Sequence, residues 1–259
     1  MSETARSPHR SDGVFAFFAL ACAITWISDA PLTSSFLNQT PPPPYALPLA
    51  GLGALGPLLA ALVIAGRRGE LGAVFGRWRT NPGWIVLGLF TPFLVNTAAR
   101  LGSLALGAPV SSWIVLPPNP DQMIALVMFP IGEEFGWRGF LQPRLAARYG
   151  HVKGALLVGV MWALWHASMV VEPATGQINT TQVAILALSL PLYSVVFAWM
   201  MRRGAGSIAI ALAMHAGAHL DNVSFASAED WAYLPLTVLF AGVAAALAGR
   251  ALARETAGA

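Results

Sequence analysis

Long apolar stretches dominate this chain. Eight of them follow one another along its 259 residues: Val14–Ile27, Leu47–Ala65, Trp84–Ala105, Met123–Leu141, Ala155–Val171, Val183–Met201, Ser207–Phe225 and Trp231–Leu252. About 20 mostly apolar residues are enough for a helix to cross the hydrocarbon core of a bilayer. The first stretch is short and the fourth is polar in its middle. Lys, Arg, Asp and Glu number only 27, about 10% of the chain, against roughly 25% in an ordinary soluble domain. A soluble globule must wet its exterior, and one of this size cannot hide an apolar content of 56%. That excludes a soluble enzyme, a disordered chain and a nucleic-acid binder with a basic face. The expected fold class is all-α, a polytopic helical membrane protein of about eight transmembrane helices.

The few charges are sorted by position. Lys and Arg collect in cytoplasmic loops. Arg6 and Arg10 precede the first stretch. Arg67, Arg68, Arg77 and Arg79 follow the second, and Arg144, Arg148 and Lys153 follow the fourth. Arg202 and Arg203 follow the sixth, and Arg250 and Arg254 lie at or after the end of the eighth. An eight-span topology thus puts 13 of the 15 basic residues on one side, with both termini cytoplasmic. The opposite loops hold Asp29, Asp121, Glu172, Glu229 and Asp230. Arg100 and Arg138 fall within or beside spans. The division expected is a cytoplasmic tail 1–13, one membrane domain 14–252 and a tail 253–259. Arg6 and Arg10 before an apolar run also fit a signal peptide. No small-x-small cleavage site follows, however, and removing the span breaks the loop parity. Cys22, the single cysteine, is expected in the core, with no disulfide or thiolate cage to join.

Ionisable groups at membrane depth cost several kcal/mol unless paired or wet, so they mark function by default. Three clusters qualify. Glu133-Glu134-Phe135-Gly136-Trp137-Arg138 lies in the fourth stretch, Trp162 to His166 in the fifth, and His215 to Asn222 in the seventh. Adjacent helical residues point about 100° apart, so Glu133 and Glu134 can do different jobs. Glu134 and Arg138 are spaced i,i+4 with the acid first, the favourable order for an ion pair. Glu133 lacks that partner and could serve as general base or metal ligand. His215 and His219 share a helix face, as two metal ligands on one helix must, and Asn222 extends the stripe. Each cluster also has a purely structural reading. The acids could glue helices through Arg138, His166 could bond a neighbouring carbonyl, and the histidine stripe could be an interhelical seam. Glu133, His166, His215 and His219 together supply donors for a divalent metal such as Zn²⁺. They also suffice to activate a water without one.

Taken together, the clusters resemble the CPBP intramembrane metalloproteases, which include the type II CAAX prenyl proteases and bacteriocin-immunity homologues. That family carries Glu-Glu-xxx-Arg, then aromatic-xxx-His, then His-xxx-Asn on successive membrane helices. Glu133-Glu134 to Arg138 match the first element. Trp162 to His166 match the second, with Trp where the family usually has Phe. His215 matches the start of the third. The likeness spans roughly residues 120–225. It implies that Glu133 and His166 activate the attacking water and that His215 binds a metal or stabilises the oxyanion. It also implies that Arg138 pairs with Glu134 or meets a substrate carboxylate. The usual Asn position holds His219, with Asn222 three residues on. An imidazole cannot mimic both ends of an amide.

The activity expected is therefore hydrolysis of a peptide bond near the membrane in a membrane-associated, lipidated protein or peptide. Ser168, Ser189 and Ser207 have no evident triad, so a covalent mechanism is not expected. The competing readings are a non-catalytic scaffold or immunity-type protein and a small-solute transporter. Transporters tend to show paired repeats and broken helices; neither shows here apart from Pro130. The Ala- and Arg-rich, Lys-poor composition is that of a high-GC bacterium, which places the chain in a bacterial cytoplasmic membrane.

Overall fold

The computed structural model describes residues 13–110, 112–114, 120–221 and 232–257, without the side chains of 120–125 and 255–257. Helix makes up 79% of the described residues, and no strand occurs among them. The helices are α1 (Val14–Leu37), α2 (Ala46–Gly53), α3 (Gly56–Gly66), α4 (Leu71–Phe75), α5 (Pro82–Ala105) and α6 (Pro120–Glu134). They continue with α7 (Gln142–Tyr149), α8 (His151–Trp165), α9 (Thr180–Arg203), α10 (Ile208–Leu220) and α11 (Tyr233–Ala257). A π-helical turn, Phe135–Leu141, joins α6 to α7, and a 3₁₀ turn, His166–Met169, ends α8.

Each expected stretch coincides with a helix, but spanning is a stricter test. Among the described residues, five helices are long and apolar enough to cross a membrane: α1, α5, α8 with its 3₁₀ turn, α9 and α11. The α2–α3 pair, bent by 47°, makes a sixth if it is one span. Helix α10 is apolar but only 13 residues long. Eight full crossings are thus not what the helix lengths give. Helix α1 runs ten residues beyond the stretch read from the sequence, because Ser28-Asp29 interrupts the apolar pattern without ending the helix, which also continues through Pro31. Asp29, expected in a loop, is therefore buried inside α1, where its Oδ2 accepts from Ser168 Oγ at 2.6 Å. The starts of two long helices are set by local chemistry. Asn81 accepts from Gly83 N–H with Pro82 in the first turn, and Asn179 accepts from Gln182 N–H.

The burial pattern is that of a protein in lipid, with apolar residues outside and ionic ones within. Phe15 (83%), Ile27 (72%) and Leu247 (62%) face outward, whereas Arg100 (1%), Arg138 (1%) and Glu134 (0%) are sealed in. Helix α1 belongs to the bundle rather than standing apart. It packs on α2 and α3, Phe17 stacks on Phe140, and Trp26 Nε1 donates to the Trp165 carbonyl at 2.9 Å. Cys22 is buried there with its thiol free, as expected. Small residues bring the acid-bearing segment close to its neighbours. A Cβ at Gly136 would stand 2.6 Å from the Pro57 carbonyl oxygen, so the turn after Glu134 presses directly on α3.

Candidate active site

Helix α6 delivers Glu133 and Glu134 at its last two residues, where the chain widens into the π-turn. Such turns are rare and often sit at functional sites. Nothing in the hydrophobic pattern marked this one. The expected i,i+4 pair forms: Arg138 Nη1 donates to Glu134 Oε1 at 3.0 Å. Arg138 is held on its other edges as well. Nη2 donates to Ser194 Oγ at 3.1 Å, and the guanidinium lies 4.2 Å from the Trp162 ring centre and 3.9 Å from that of Phe197. A planar cation between two aromatic faces is attracted to both and loses its freedom to swing.

Glu133 points elsewhere and finds a partner the sequence did not predict. Trp162 Nε1 donates to Glu133 Oε2 at 2.6 Å. The Trp that stands at the family's usual Phe position thus puts an N–H on the first glutamate. Glu133 Oε1 lies 3.9 Å from His215 Nε2.

The histidines form an ordered chain. His215 Nδ1 lies 2.6 Å from Glu134 Oε1, which also receives Arg138. A carboxylate paired with a guanidinium can only accept, so His215 Nδ1 carries the hydrogen and donates. Its Nε2 is then the lone-pair nitrogen of the neutral ring. His219 Nε2, 3.1 Å away, donates to it across rings stacked with centroids 5.0 Å apart. His166 is fixed by the same logic. Its Nδ1 donates to the Trp162 carbonyl one turn back at 2.8 Å, leaving Nε2 as an acceptor.

Glu133, His166, His215 and His219 line one cavity of about 280 Å³, along with Asn96, Trp162, Ser189, Tyr193 and Asp221. Glu134 and Arg138 do not line it and stand behind His215. The donor set is of the zinc type, but among the described residues no three His, Cys, Asp or Glu side chains are grouped so as to hold a metal ion. The chemistry is therefore read from the side chains alone. Asn222 lies outside the described residues.

A second buried ion pair stands at the far wall. Arg100 donates from Nη1 and Nη2 to the two carboxylate oxygens of Asp221, each at 2.8 Å. Asn96 Nδ2 donates to the Asp221 carbonyl at 2.9 Å and to its Oδ2 at 3.1 Å. The sequence held a signal for it: Arg100 was a cation inside an apolar stretch and Asp221 an acid beside the histidine stripe. Two opposite charges taken into a bundle must find each other. Ser168 and Ser207 are committed to Asp29 and to the Trp78 carbonyl, with no histidine in either pair.

Comparison with known proteins adds an independent line. Residues 118–220 match the family described as type II CAAX prenyl endopeptidase Rce1-like. A curated relative, CAAX prenyl protease 2 of Methanococcus maripaludis, is 28% identical over 128 residues, 48% of this chain and 47% of the relative. The chain thus spans about half the length of the curated relative it matches. The matched segment contains Glu133, Glu134, Arg138, Trp162, His166, His215 and His219, and ends within the third cluster at residue 220. In its central segment, the chain is similar to the Rce1-like type II CAAX prenyl endopeptidases, the family its motifs resemble.

Proposed function

We propose that this chain is an intramembrane endopeptidase that hydrolyses a peptide bond of a membrane-associated, prenylated substrate of the CAAX kind. The supporting observation is that Glu133, His166, His215 and His219, contributed by three helices, line one cavity. Glu133 Oε1 stands 3.9 Å from His215 Nε2 at the cavity wall, and a water seated there donates one hydrogen to Glu133 Oε1. Glu133 takes a proton from that water as the oxygen bonds to the scissile carbonyl carbon, and His166 Nε2 accepts a hydrogen bond from the hydrogen that stays on that oxygen. The developing oxyanion accepts the single N–H shared between the facing Nε2 atoms of His215 and His219, so that His219 takes the donor role an asparagine has in the family. The C–N bond breaks as Glu133 returns its proton to the departing amine. Glu134 and Arg138 are positioning residues, which hold His215 in one tautomer.

A bound divalent ion, zinc by donor chemistry, is a separate proposal. Its donors would be the Glu133 carboxylate and the imidazoles of His166, His215 and His219, drawn closer together than they stand here, and elemental analysis of the purified protein tests it. Residence in a bacterial cytoplasmic membrane is proposed from the Ala- and Arg-rich, Lys-poor composition, and the placing of both termini inside from the charge sorting. The test of activity is cleavage of a prenylated CAAX peptide by protein reconstituted in liposomes. Glu133→Gln and His166→Ala should each lower the rate by about 10²–10⁴-fold, the contribution of a positioned acid–base group. Cleavage retained in both variants overturns the proposal.

A further inference from the structure

Helix α1 carries a polar stripe that the proposed peptidase chemistry leaves unused. Thr25, Asp29 and Thr33 stand four residues apart and so share one face of a mostly apolar helix. Thr25 is 0% exposed and Asp29 5%. Polar groups kept at membrane depth are costly unless they are bonded. The stripe meets the 3₁₀ turn that ends α8. Trp165 is held there at both ends: its Nε1 donates to Thr25 Oγ1 at 2.8 Å, and Trp26 Nε1, beside the stripe, donates to the Trp165 carbonyl at 2.9 Å. Ser168 is held twice as well. Its Oγ donates to Asp29 Oδ2 at 2.6 Å, and its carbonyl accepts from Thr33 Oγ1 at 3.0 Å. His166 lies between these two anchored residues.

The last carbonyls of a helix have no partner within it, and at membrane depth each needs a donor from elsewhere in the protein. At the end of α8 two of those donors come from α1. Thr25 also gives its own hydrogen to the Gly53 carbonyl at 2.7 Å, so one hydroxyl ties the end of α2 to the end of α8. A Cβ at Gly56 would collide with Thr25 Oγ1, so glycine there leaves the hydroxyl its place. The anchored Trp165 ring meets the His166 ring edge-on, with centroids 4.8 Å apart and planes at 82°. The bond from His166 Nδ1 to the Trp162 carbonyl sets the imidazole against α8. The bonds from α1 set the end of α8 within the bundle.

We infer that this part of α1 positions His166 for the proposed reaction, with Thr25, Trp26, Asp29 and Thr33 as positioning residues that fix where His166 Nε2 stands against Glu133 and the water. The inference rests on the peptidase reading of His166. None of the four lies in the segment 118–220 that matches the family. A group that must meet a reacting water loses much of its effect on rate when it is displaced by about 1 Å. Four bonds from one helix, two to each residue that flanks the turn, oppose that displacement.

The full chain, reconstituted in liposomes, is assayed for cleavage of the prenylated CAAX peptide. Solid-state NMR of the same protein with nitrogen-labelled histidine reads the His166 ring, its signals identified by their loss in His166→Ala. Asp29→Leu/Ser168→Ala removes both partners of one bond and strands neither. Combined with Thr33→Val, it should lower kcat by about 10–10²-fold with KM held within about twofold, and should shift or broaden the His166 signals. Asp29→Asn keeps an acceptor and Thr33→Ser keeps a donor, so each should retain most of the parent kcat. Ser35→Ala, whose hydroxyl bonds the Pro31 carbonyl of its own helix, should change neither readout. An unchanged kcat in the triple variant, a rise in KM as large as the fall in kcat, or His166 signals left unmoved overturns the inference. A parent chain that does not cleave the peptide refutes the peptidase reading instead, and the His166 signals of the triple variant still decide whether α1 positions that ring.

Discussion

Among the described residues two Arg–carboxylate ion pairs are buried, and they are built differently. Arg100–Asp221 is saturated: both carboxylate oxygens receive a guanidinium hydrogen, and Asn96 adds two more bonds. Glu134–Arg138 is shared out. Glu134 Oε1 takes both Arg138 and His215, while Oε2 has no partner among the described residues. A saturated pair offsets its own desolvation and can do little else. A carboxylate that divides its oxygen between a fixed cation and an imidazole sets that imidazole's tautomer. The first therefore reads as a brace for the end of α10, and the second as a handle on the cavity's chemistry.

Double replacement separates the two most sharply. A buried ion pair exchanged for apolar residues of similar volume is often neutral or stabilising. Arg100→Met/Asp221→Leu should therefore fold and cleave within a few-fold of the parent chain. Glu134→Leu/Arg138→Met should also fold but lose cleavage by about 10²-fold or more, because His215 loses its acceptor. Equal activity in the two variants would erase the distinction. Next in size, Asp221→Ala leaves Arg100 buried without its acid and should cost about 3–5 kcal/mol in denaturant unfolding in micelles. A loss no greater than that of an exposed substitution would deny the brace its role.

Smaller effects probe the handle from its edges. Trp162→Phe restores the family's usual residue and removes the N–H on Glu133. A hydrogen bond to a charged group is worth about 1.5–3 kcal/mol, so the cleavage rate should change by about 10–150-fold with the unfolding midpoint little moved. Ser194→Ala removes a single donor–acceptor contact from Arg138 and should cost about 1 kcal/mol. A larger loss in cleavage than in stability there would extend the functional network beyond Glu134.

The sequence showed these features unevenly. Glu134 with Arg138 and His215 with His219 were legible because both pairs are i,i+4 on one helix, where spacing alone dictates contact. The Glu133–Trp162 bond and the Glu134–His215 bond cross between helices, and no local rule links positions 29 and 81 residues apart. Asp29 was misplaced because the polar pair Ser28-Asp29 looks locally like the end of an apolar run. The count of eight crossings is not confirmed by the described helices, for a different reason. Apolar content marks a segment as shielded from water, but a 13-residue helix such as α10 and a bent pair such as α2–α3 are shielded by their neighbours as well as by lipid.

By itself, then, the sequence determined the solvent and the chemistry. Few charges in long apolar runs require a helical membrane protein, and the charges kept despite their cost identify the groups of interest. Tertiary structure alone decided which of those groups share a cavity, which nitrogen of each imidazole carries its hydrogen, and which of two buried ion pairs is left with an oxygen to spare. Those outcomes depend on distances between helices, set by packing such as Gly136 against Pro57, and helical spacing holds no record of them.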